Sequence, residues 1–202
     1  MTRLSKAAVV VVVVVFSRSL AQTPMPVPTA ARQTTDKVTI AVEPYRSKEK
    51  VKQAFGKTDF AKLGILPILV VIQNDSDRVL RLENMRVEWI TADRQRIEPI
   101  PAEDVERSGS VKPPKLGGPA PPIPGVGLGG RGRKPAWEIT AREFVAPVAP
   151  AGSTVQGFFY FRVGKGPDRM AGSKIYITGI QDARTGQDLL YFEIGLDTYV
   201  KK

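Results

Sequence analysis

Histidine and cysteine are both absent from the 202 residues of this sequence. Their absence removes zinc sites of the usual kind, thiolate nucleophiles, imidazole bases and structural disulfides together. We therefore expect neither a metal nor a cofactor. A chain without thiols suits an oxidising or a reducing compartment equally well, so the location has to be inferred from the N-terminal segment.

The N-terminal segment has no apolar run of transmembrane length. Its run Ala7 to Phe16 has ten residues, whereas a membrane-spanning helix needs roughly 20. Arg3 and Lys6 precede the run and small residues follow it, which is the pattern of a secretory signal peptide. We predict a signal peptide over residues 1–21, which contacts the membrane only transiently, and a periplasmic or secreted mature protein. The alternative is an uncleaved anchor.

Acidic side chains are scarce in one segment of the mature chain. Without residues 1–21 the chain has 27 basic and 20 acidic side chains, a net charge of +7. Residues 107–142 carry six of these charges, because seven lysines and arginines there face a single acidic residue, Glu138. An anionic partner should be drawn to this segment.

The same region is rich in proline and glycine and poor in bulky apolar residues. Seven prolines and seven glycines lie between Val111 and Pro135. We predict a flexible basic loop at about residues 107–136 that interrupts the folded domain and binds an envelope protein or an anionic envelope polymer. The alternative is a spacer that binds nothing. The candidate partner-binding residues are Lys112, Lys115, Arg131, Arg133, Lys134 and Trp137.

The loop also contains GVGLGG, Gly125 to Gly130, which fits the dinucleotide-binding pattern G-x-G-x-x-G. That pattern works only between a strand and the N-terminus of a helix. Prolines precede it here, and Gly132 and Pro135 oppose a helix after it. We interpret the match as an accident of composition and expect no nucleotide. Nucleic acid is disfavoured too, since residues 107–136 offer no aromatic ring for base stacking.

Outside the loop, the sequence is dominated by strand patterns. Apolar residues alternate with polar ones in VTIAVE, residues 38–43, and at Met85, Val87 and Trp89. GILPILVVIQ, residues 64–73, is apolar on both faces and predicts a central strand. The last predicted strand has a buried face formed by Leu190, Phe192, Ile194 and Leu196.

These patterns predict the domain organisation. Residues 22–37, rich in proline at their start, are expected to form an extended linker. The folded domain follows over residues 38–202, with one short helix in SKEKVKQAFG, residues 47–56. About seven strands and one helix predict an all-β fold, an immunoglobulin-like antiparallel β-sandwich with a long Pro/Gly-rich insertion.

Four stretches together resemble exported bacterial immunoglobulin-like β-sandwich proteins of unknown function. They are AFG (54–56), GILPILVVIQNDS (64–76), PAGSTVQGFFYF (150–161) and DARTGQDLLYFEI (182–194). The resemblance implies a sandwich fold and an envelope setting, and it carries over no catalytic residue.

Two short motifs have a catalytic or metal-binding interpretation beside a simpler one. SKEK, Ser47 to Lys50, fits the S-x-x-K pattern of penicillin-recognising enzymes, but it is also a helix N-cap followed by solvated lysines, which we favour. NDSD, Asn74 to Asp77, offers oxygen ligands for calcium but lacks the glycine and glutamate of a proper loop, so we predict a turn. Asn74 also begins a glycosylation sequon.

The acidic residues that precede the loop keep an enzyme under consideration. Glu98, Glu103, Asp104 and Glu106 lie close together in the sequence, and paired carboxylates hydrolyse glycosides when they face each other across a cleft. We favour a charged solvated face for them, and hence an exported non-catalytic binding or structural module. A carboxylate-based hydrolase acting on an envelope polymer is the alternative.

The signal-peptide prediction is tested by the N-terminus of the protein in its native host. We expect mass spectrometry to find Gln22 as the first residue, free or cyclised to pyroglutamate, because signal peptidase reads the small residues that end at Ala21. An intact chain from Met1 in the membrane fraction would contradict the prediction.

Overall fold

The computed structural model of the chain describes residues 28–110, 137–163, 170–189 and 191–200. The predicted signal peptide and the centre of the basic loop lie outside these residues. In chain order the strands are β1 (Arg32–Thr35), β2 (Val38–Pro44), β3 (Ile65–Asn74), β4 (Leu80–Arg81), β5 (Arg86–Ile90), β6 (Arg96–Ile97), β7 (Pro99–Ile100), β8 (Val148–Ala149), β9 (Ser153–Arg162), β10 (Lys174–Thr178), β11 (Gln181–Asp182) and β12 (Phe192–Gly195). The helices are α1 (Lys48–Phe55), α2 (Phe60–Leu63), α3 (Ala102–Ser110), α4 (Trp137–Thr140) and a 3-10 turn, Asp197–Tyr199.

The strands form three sheets, and the strand pairs within them are antiparallel. One sheet has five strands in the order β1-β2-β3-β9-β7, and a second has four in the order β12-β10-β5-β6. Three short strands, in the order β11-β4-β8, form the third. The prediction of a mostly β, antiparallel architecture is confirmed at this level.

The main hydrophobic core lies between the five-stranded and the four-stranded sheets. Alternate residues of β2 and β3 point into it, and so do Val87 and Trp89 of β5, as the sequence predicts. In and after the last strand, Phe192, Ile194 and Leu196 are buried as expected, whereas Leu190 lies outside the described residues. The two sheets therefore pack face to face.

A second core lies on the other face of the five-stranded sheet. Leu69 and Val71 of β3 and Phe158 of β9 pack there against Phe55 of α1 and Phe60 of α2. Ala102 and Val105 of α3 and Ile139 of α4 belong to the same cluster. The molecule thus has three layers, which are the four-stranded sheet, the five-stranded sheet and a layer of helices.

The prediction of a single short helix is wrong, because the described residues contain four. The predicted helix is α1, capped by Ser47 and ended by Gly56. Helix α2 has its own cap, Asp59, whose carboxylate accepts from the Lys62 amide. Helix α3 lies where we expected the loop to begin, because Ala102 and Val105 bury one face of it against the second core.

Two predicted boundaries also change. The linker was expected to continue to residue 37, but Arg32–Thr35 form β1 and pair with β2. A tight turn joins the two strands, and both of its central residues, Asp36 and Lys37, have positive φ, as a type I′ hairpin requires. At the loop, α3 continues to Ser110, so Arg107 belongs to a helix.

Gly157 of β9 is required by a close crossing of the backbone. The chain after α4 runs beside β9, where Phe158 N donates to Arg142 O (2.8 Å) and Phe144 N donates to Phe158 O (3.1 Å). A Cβ on Gly157 would lie 2.4 Å from Phe144 Cα. No side chain fits there without a shift of one of the two backbones.

We expect Gly157→Ala to lower the free energy of unfolding by about 3 kcal/mol, because the overpacked atoms are backbone and cannot rotate away. Urea denaturation measures this loss. Gly152→Ala is the control: its φ of 65° strains an alanine, but no atom lies within 4 Å of the added Cβ, so we expect a loss of about 1 kcal/mol. Equal losses at the two sites would contradict the crossing as the cause.

Candidate functional site

The predicted basic loop starts and ends on two helices that are fixed to each other and to the sheet. Glu106 of α3 accepts hydrogen bonds from Thr140 of α4, from Oγ1 at 2.7 Å and from the amide at 3.3 Å. The buried Tyr160 of β9 donates its hydroxyl to Ile139 O at 2.8 Å. Helices α3 and α4 are therefore joined to each other and to the sheet, and we call them, with β9, the loop base.

The Tyr160 hydroxyl remains a donor over the physiological pH range. Burial raises the pKa of Tyr160 well above its usual value, and the nearby Glu143 and Glu106 raise it further, while Arg142 opposes them. The bond to Ile139 is consequently insensitive to pH under ordinary conditions.

A cleft of about 220 Å³ lies at the edge of the five-stranded sheet, beside the start of α3. The rings of Phe144 and Phe159 stack there with their centroids 5.4 Å apart. Glu143 is the carboxylate of the cleft, and its Oε1 accepts from the Ala102 amide at 3.0 Å, at the first turn of α3. The described lining residues are Pro99, Ile100, Pro101, Glu143, Phe144, Phe158 and Phe159.

Three of the four acidic residues considered for hydrolysis have other contacts. Glu103 and Asp104 form ion pairs with Arg107 at 3.4 and 3.2 Å, and Glu106 binds Thr140. Glu98 is exposed between β6 and β7. None of these four residues lines the cleft in the described part of the chain.

Ser47 and Lys50 are arranged as a helix cap. Ser47 Oγ accepts from the Lys50 amide at 3.2 Å. The Lys50 ammonium forms an ion pair with Glu43 of β2. The N-cap part of the prediction for SKEK is confirmed by the Ser47 contact, whereas Lys50 is paired with Glu43 and is not simply solvated.

Asn74, the last residue of β3, holds the bend that follows the strand. Its buried amide nitrogen donates to the carbonyl oxygens of Arg78, Ala149 and Pro150 at 2.7 to 3.0 Å. Its Oδ1 accepts from the Ser76 hydroxyl at 2.6 Å. The turn prediction for NDSD holds for Ser76 and Asp77, which lie in a bend, whereas Asn74 is still the last residue of β3 and its side chain is buried.

Most of the sequence-predicted binding residues fall outside the described part of the chain. Lys112, Lys115, Arg131, Arg133 and Lys134 lie there, as does the GVGLGG motif. Trp137 is the first residue of α4. The structure therefore shows the base of the candidate site, formed by α3, α4 and β9.

Sequence reasoning missed a second basic region, on α1 and α2. Residues 45–64 contain six basic and two acidic residues, a net charge of +4. The part of the loop that follows α3, residues 111–136, carries a net charge of +5. The two segments together therefore hold more positive charge than the net +7 of the mature chain. The net charge of this window is the signal that identifies the region, which the N-cap interpretation of SKEK treats as solvated lysines.

Lys48, Lys52 and Lys57 of this region are exposed, and we call them the lysine surface. In the described structure none of the three forms an ion pair. Lys62, by contrast, pairs with Asp59 at 3.2 Å, and its hydrogen bonds lower the pKa of that carboxyl. Helix α1 contacts α4 and helix α2 contacts α3, so the lysine surface belongs to the same layer as the loop base.

Comparison with models of protein families, with curated proteins and with solved structures finds no match for this chain. Among the described residues no helix is both long and apolar enough to span a membrane. The same residues contain no cluster of three or more side chains suited to holding a metal ion.

Loss of the Glu106 contact should loosen the loop base. We expect Glu106→Ala to speed hydrogen exchange at the Thr140 amide and to lower the free energy of unfolding by about 1 kcal/mol. Glu103→Ala, on the same helix, removes an exposed ion pair and should change stability by less than about 0.5 kcal/mol, with Thr140 unaffected. Equal exchange rates in the two variants would contradict the proposed role of Glu106.

Proposed function

We propose that this protein is an exported, non-catalytic binding module of the bacterial envelope and that its basic loop contacts the partner. The observation that carries the proposal is the loop base. The loop connects α3 to α4. These helices are held by two hydrogen bonds, one from Thr140 to Glu106 and one from the Tyr160 hydroxyl to Ile139 O. The insertion therefore lies between two helices and interrupts none of the described sheets, so strand pairing does not constrain its sequence.

The distribution of charge supports an anionic partner. Arg107 is compensated by Glu103 and Asp104 on its own helix. The five cations of residues 111–136 have no acidic residue within their segment. A cluster of cations that is not neutralised locally attracts anionic groups and accelerates their association at low salt.

The envelope setting depends on the predicted signal peptide and on the resemblance to exported β-sandwich proteins. Both favour the periplasm or the medium. Two antiparallel sheets packed face to face are compatible with an immunoglobulin-like arrangement, which we propose as the finer description of the fold.

A carboxylate-based hydrolase has less support from the geometry. Glycosidases of the usual type place two carboxylates on opposite sides of the substrate. The cleft offers Glu143, which already accepts a hydrogen bond from Ala102. A screen with generic glycoside and ester substrates tests this alternative, and turnover that is lost in Glu143→Gln would establish it.

Removing the loop should separate folding from binding. We expect replacement of residues 111–136 by a Gly-Ser linker of about six residues to leave the free energy of unfolding unchanged or to raise it by about 1 kcal/mol, because the closed loop becomes shorter. Binding to the envelope fraction of the host should be lost, as measured by co-sedimentation at increasing salt. Unfolding of the shortened protein would show that the loop belongs to the core.

A milder variant tests whether the charges of the loop are responsible. Changing Arg131, Arg133 and Lys134 to glutamine should weaken binding and flatten its salt dependence. The matched control keeps every charge and changes Leu116, Ile123 and Leu128 to serine. Retention of all binding with the same salt response in the glutamine variant would favour the spacer interpretation.

A further inference from the structure

We propose that the outer face of the four-stranded sheet binds a neutral carbohydrate chain and that a sugar residue stacks on the ring of Tyr191. The side chains that form the outer face are Glu88, Arg96, Lys174, Tyr176, Tyr191 and Glu193. The main core lies between this sheet and the five-stranded sheet, and the helices cover the far face of the latter. The outer face is therefore on the opposite side of the molecule from the loop base, and its binding goes beyond the proposed function.

The alternation of the strands turns these side chains away from the core. Trp89 of β5 and Ile175 of β10 are buried and lie opposite each other in the sheet. Successive side chains of a strand point to opposite faces. The neighbours Glu88 and Tyr176, which also lie opposite each other, therefore point outward. Because Tyr176 lies opposite Glu193 of β12 as well, it is at the centre of the outer face.

The ring of Tyr191 is exposed and is nevertheless held in place. Tyr191 is 52% exposed, and its ring centroid lies 5.5 Å from that of Tyr176 at an interplanar angle of 33°. The Arg96 guanidinium lies 5.6 Å from the centroid of the Tyr176 ring, and it pairs with Glu88 at 2.7 Å. An aromatic ring that is ordered before binding loses little conformational entropy when a ligand packs on it. Tyr191 is thus a preorganised stacking surface.

The charges of the outer face favour a neutral ligand. Arg96 pairs with Glu88, and Lys174 pairs with Glu193, which leaves Arg86 as the remaining cation on these four strands. Single-stranded nucleic acid also stacks on aromatic rings, but it needs a groove of uncompensated cations along its backbone. The outer face does not offer such a groove.

The two ion pairs match the hydrogen-bonding groups of a sugar. Each pair places N–H donors beside a carboxylate acceptor. A hydroxyl group both donates and accepts, so neighbouring hydroxyls of one sugar residue can bind the two members of a pair together. The C–H groups on the face of the sugar ring pack on an aromatic ring through dispersion and weak hydrogen bonds. Stacking on Tyr191 and hydroxyl contacts with the flanking ion pairs are therefore available to the same ligand.

A folded protein is a less suitable partner for the outer face. Stable protein interfaces bury about 800 Å² on each partner and have several apolar or aromatic residues at their centre. Among the described residues Tyr191 is the one exposed large apolar side chain on this sheet. The others, outside it, are Val79, Val145 and Val148. A single ring flanked by polar groups is closer in size to one sugar residue than to a protein interface.

The test measures co-sedimentation of the full mature protein with insoluble chitin, cellulose and mannan. We expect the unsubstituted protein to bind at least one of them and Tyr191→Ala to bind it about tenfold more weakly, because the stacking surface is lost. Tyr191→Phe keeps the ring and should stay within about threefold. Val145→Ala, which removes an exposed apolar side chain outside the sheet, should stay within about twofold. All three variants should nearly keep the melting temperature, because the substituted side chains are exposed.

Two further measurements separate this site from an electrostatic one. Binding of a neutral chain should change by less than about twofold between low and physiological salt, whereas binding of an anionic chain weakens steeply. Replacement of residues 111–136 by the Gly-Ser linker should leave carbohydrate binding intact. This result would hold whether or not the loop contacts a partner of its own, so failure of the proposed function and failure of this inference are distinguishable.

Each other outcome overturns the inference. Absence of binding to all three polysaccharides by the unsubstituted protein would exclude a neutral carbohydrate of this kind. Equal binding by Tyr191→Ala and the unsubstituted protein would dismiss the outer face as the site. Equal losses in Tyr191→Ala and Tyr191→Phe would contradict stacking on the ring. Salt-sensitive binding to single-stranded DNA that requires Tyr191, without carbohydrate binding, would replace the carbohydrate by a nucleic acid.

Discussion

The pairing of β3 with β9 is the contact on which the other layers depend. Ten residues of each strand are in register, from Ile65 opposite Arg162 to Asn74 opposite Ser153. Nine of the ten side chains of β3 are buried. One face of this pair meets the four-stranded sheet, and the other needs a separate cover, because apolar surface left in water would forgo the hydrophobic stabilisation of the core.

The helices provide that cover. Helices α1 to α4 are short, and the smallest would not be stable alone in water. Their apolar residues pack on Leu69, Val71 and Phe158. This packing also places the loop base and the lysine surface, because the segments that cover the sheet expose their polar faces on one side of the molecule. The loop base and the lysine surface share that side for a structural reason.

Much of the β architecture could be predicted because strand periodicity is a local signal. The alternation at Val87 and Trp89 and at Phe192 and Ile194 placed the correct residues in the core. Helix α3 was missed because its acidic residues resemble a solvated segment, and its apolar positions become meaningful only when a partner surface is known. Strand β1 was missed because its four residues are polar and are held by β2.

The sequence by itself excluded histidine and cysteine ligands and nucleophiles, and it determined the longer apolar strands and the concentration of charge in the loop. Only the tertiary structure decided which residues act together. It placed Glu106 of α3 within hydrogen-bond distance of Thr140 in α4, and Glu143 within hydrogen-bond distance of the Ala102 amide in α3. It also brought a second group of cations to the side of the loop base. Such relations depend on contacts between residues far apart in the chain, and the local pattern of side chains does not record them.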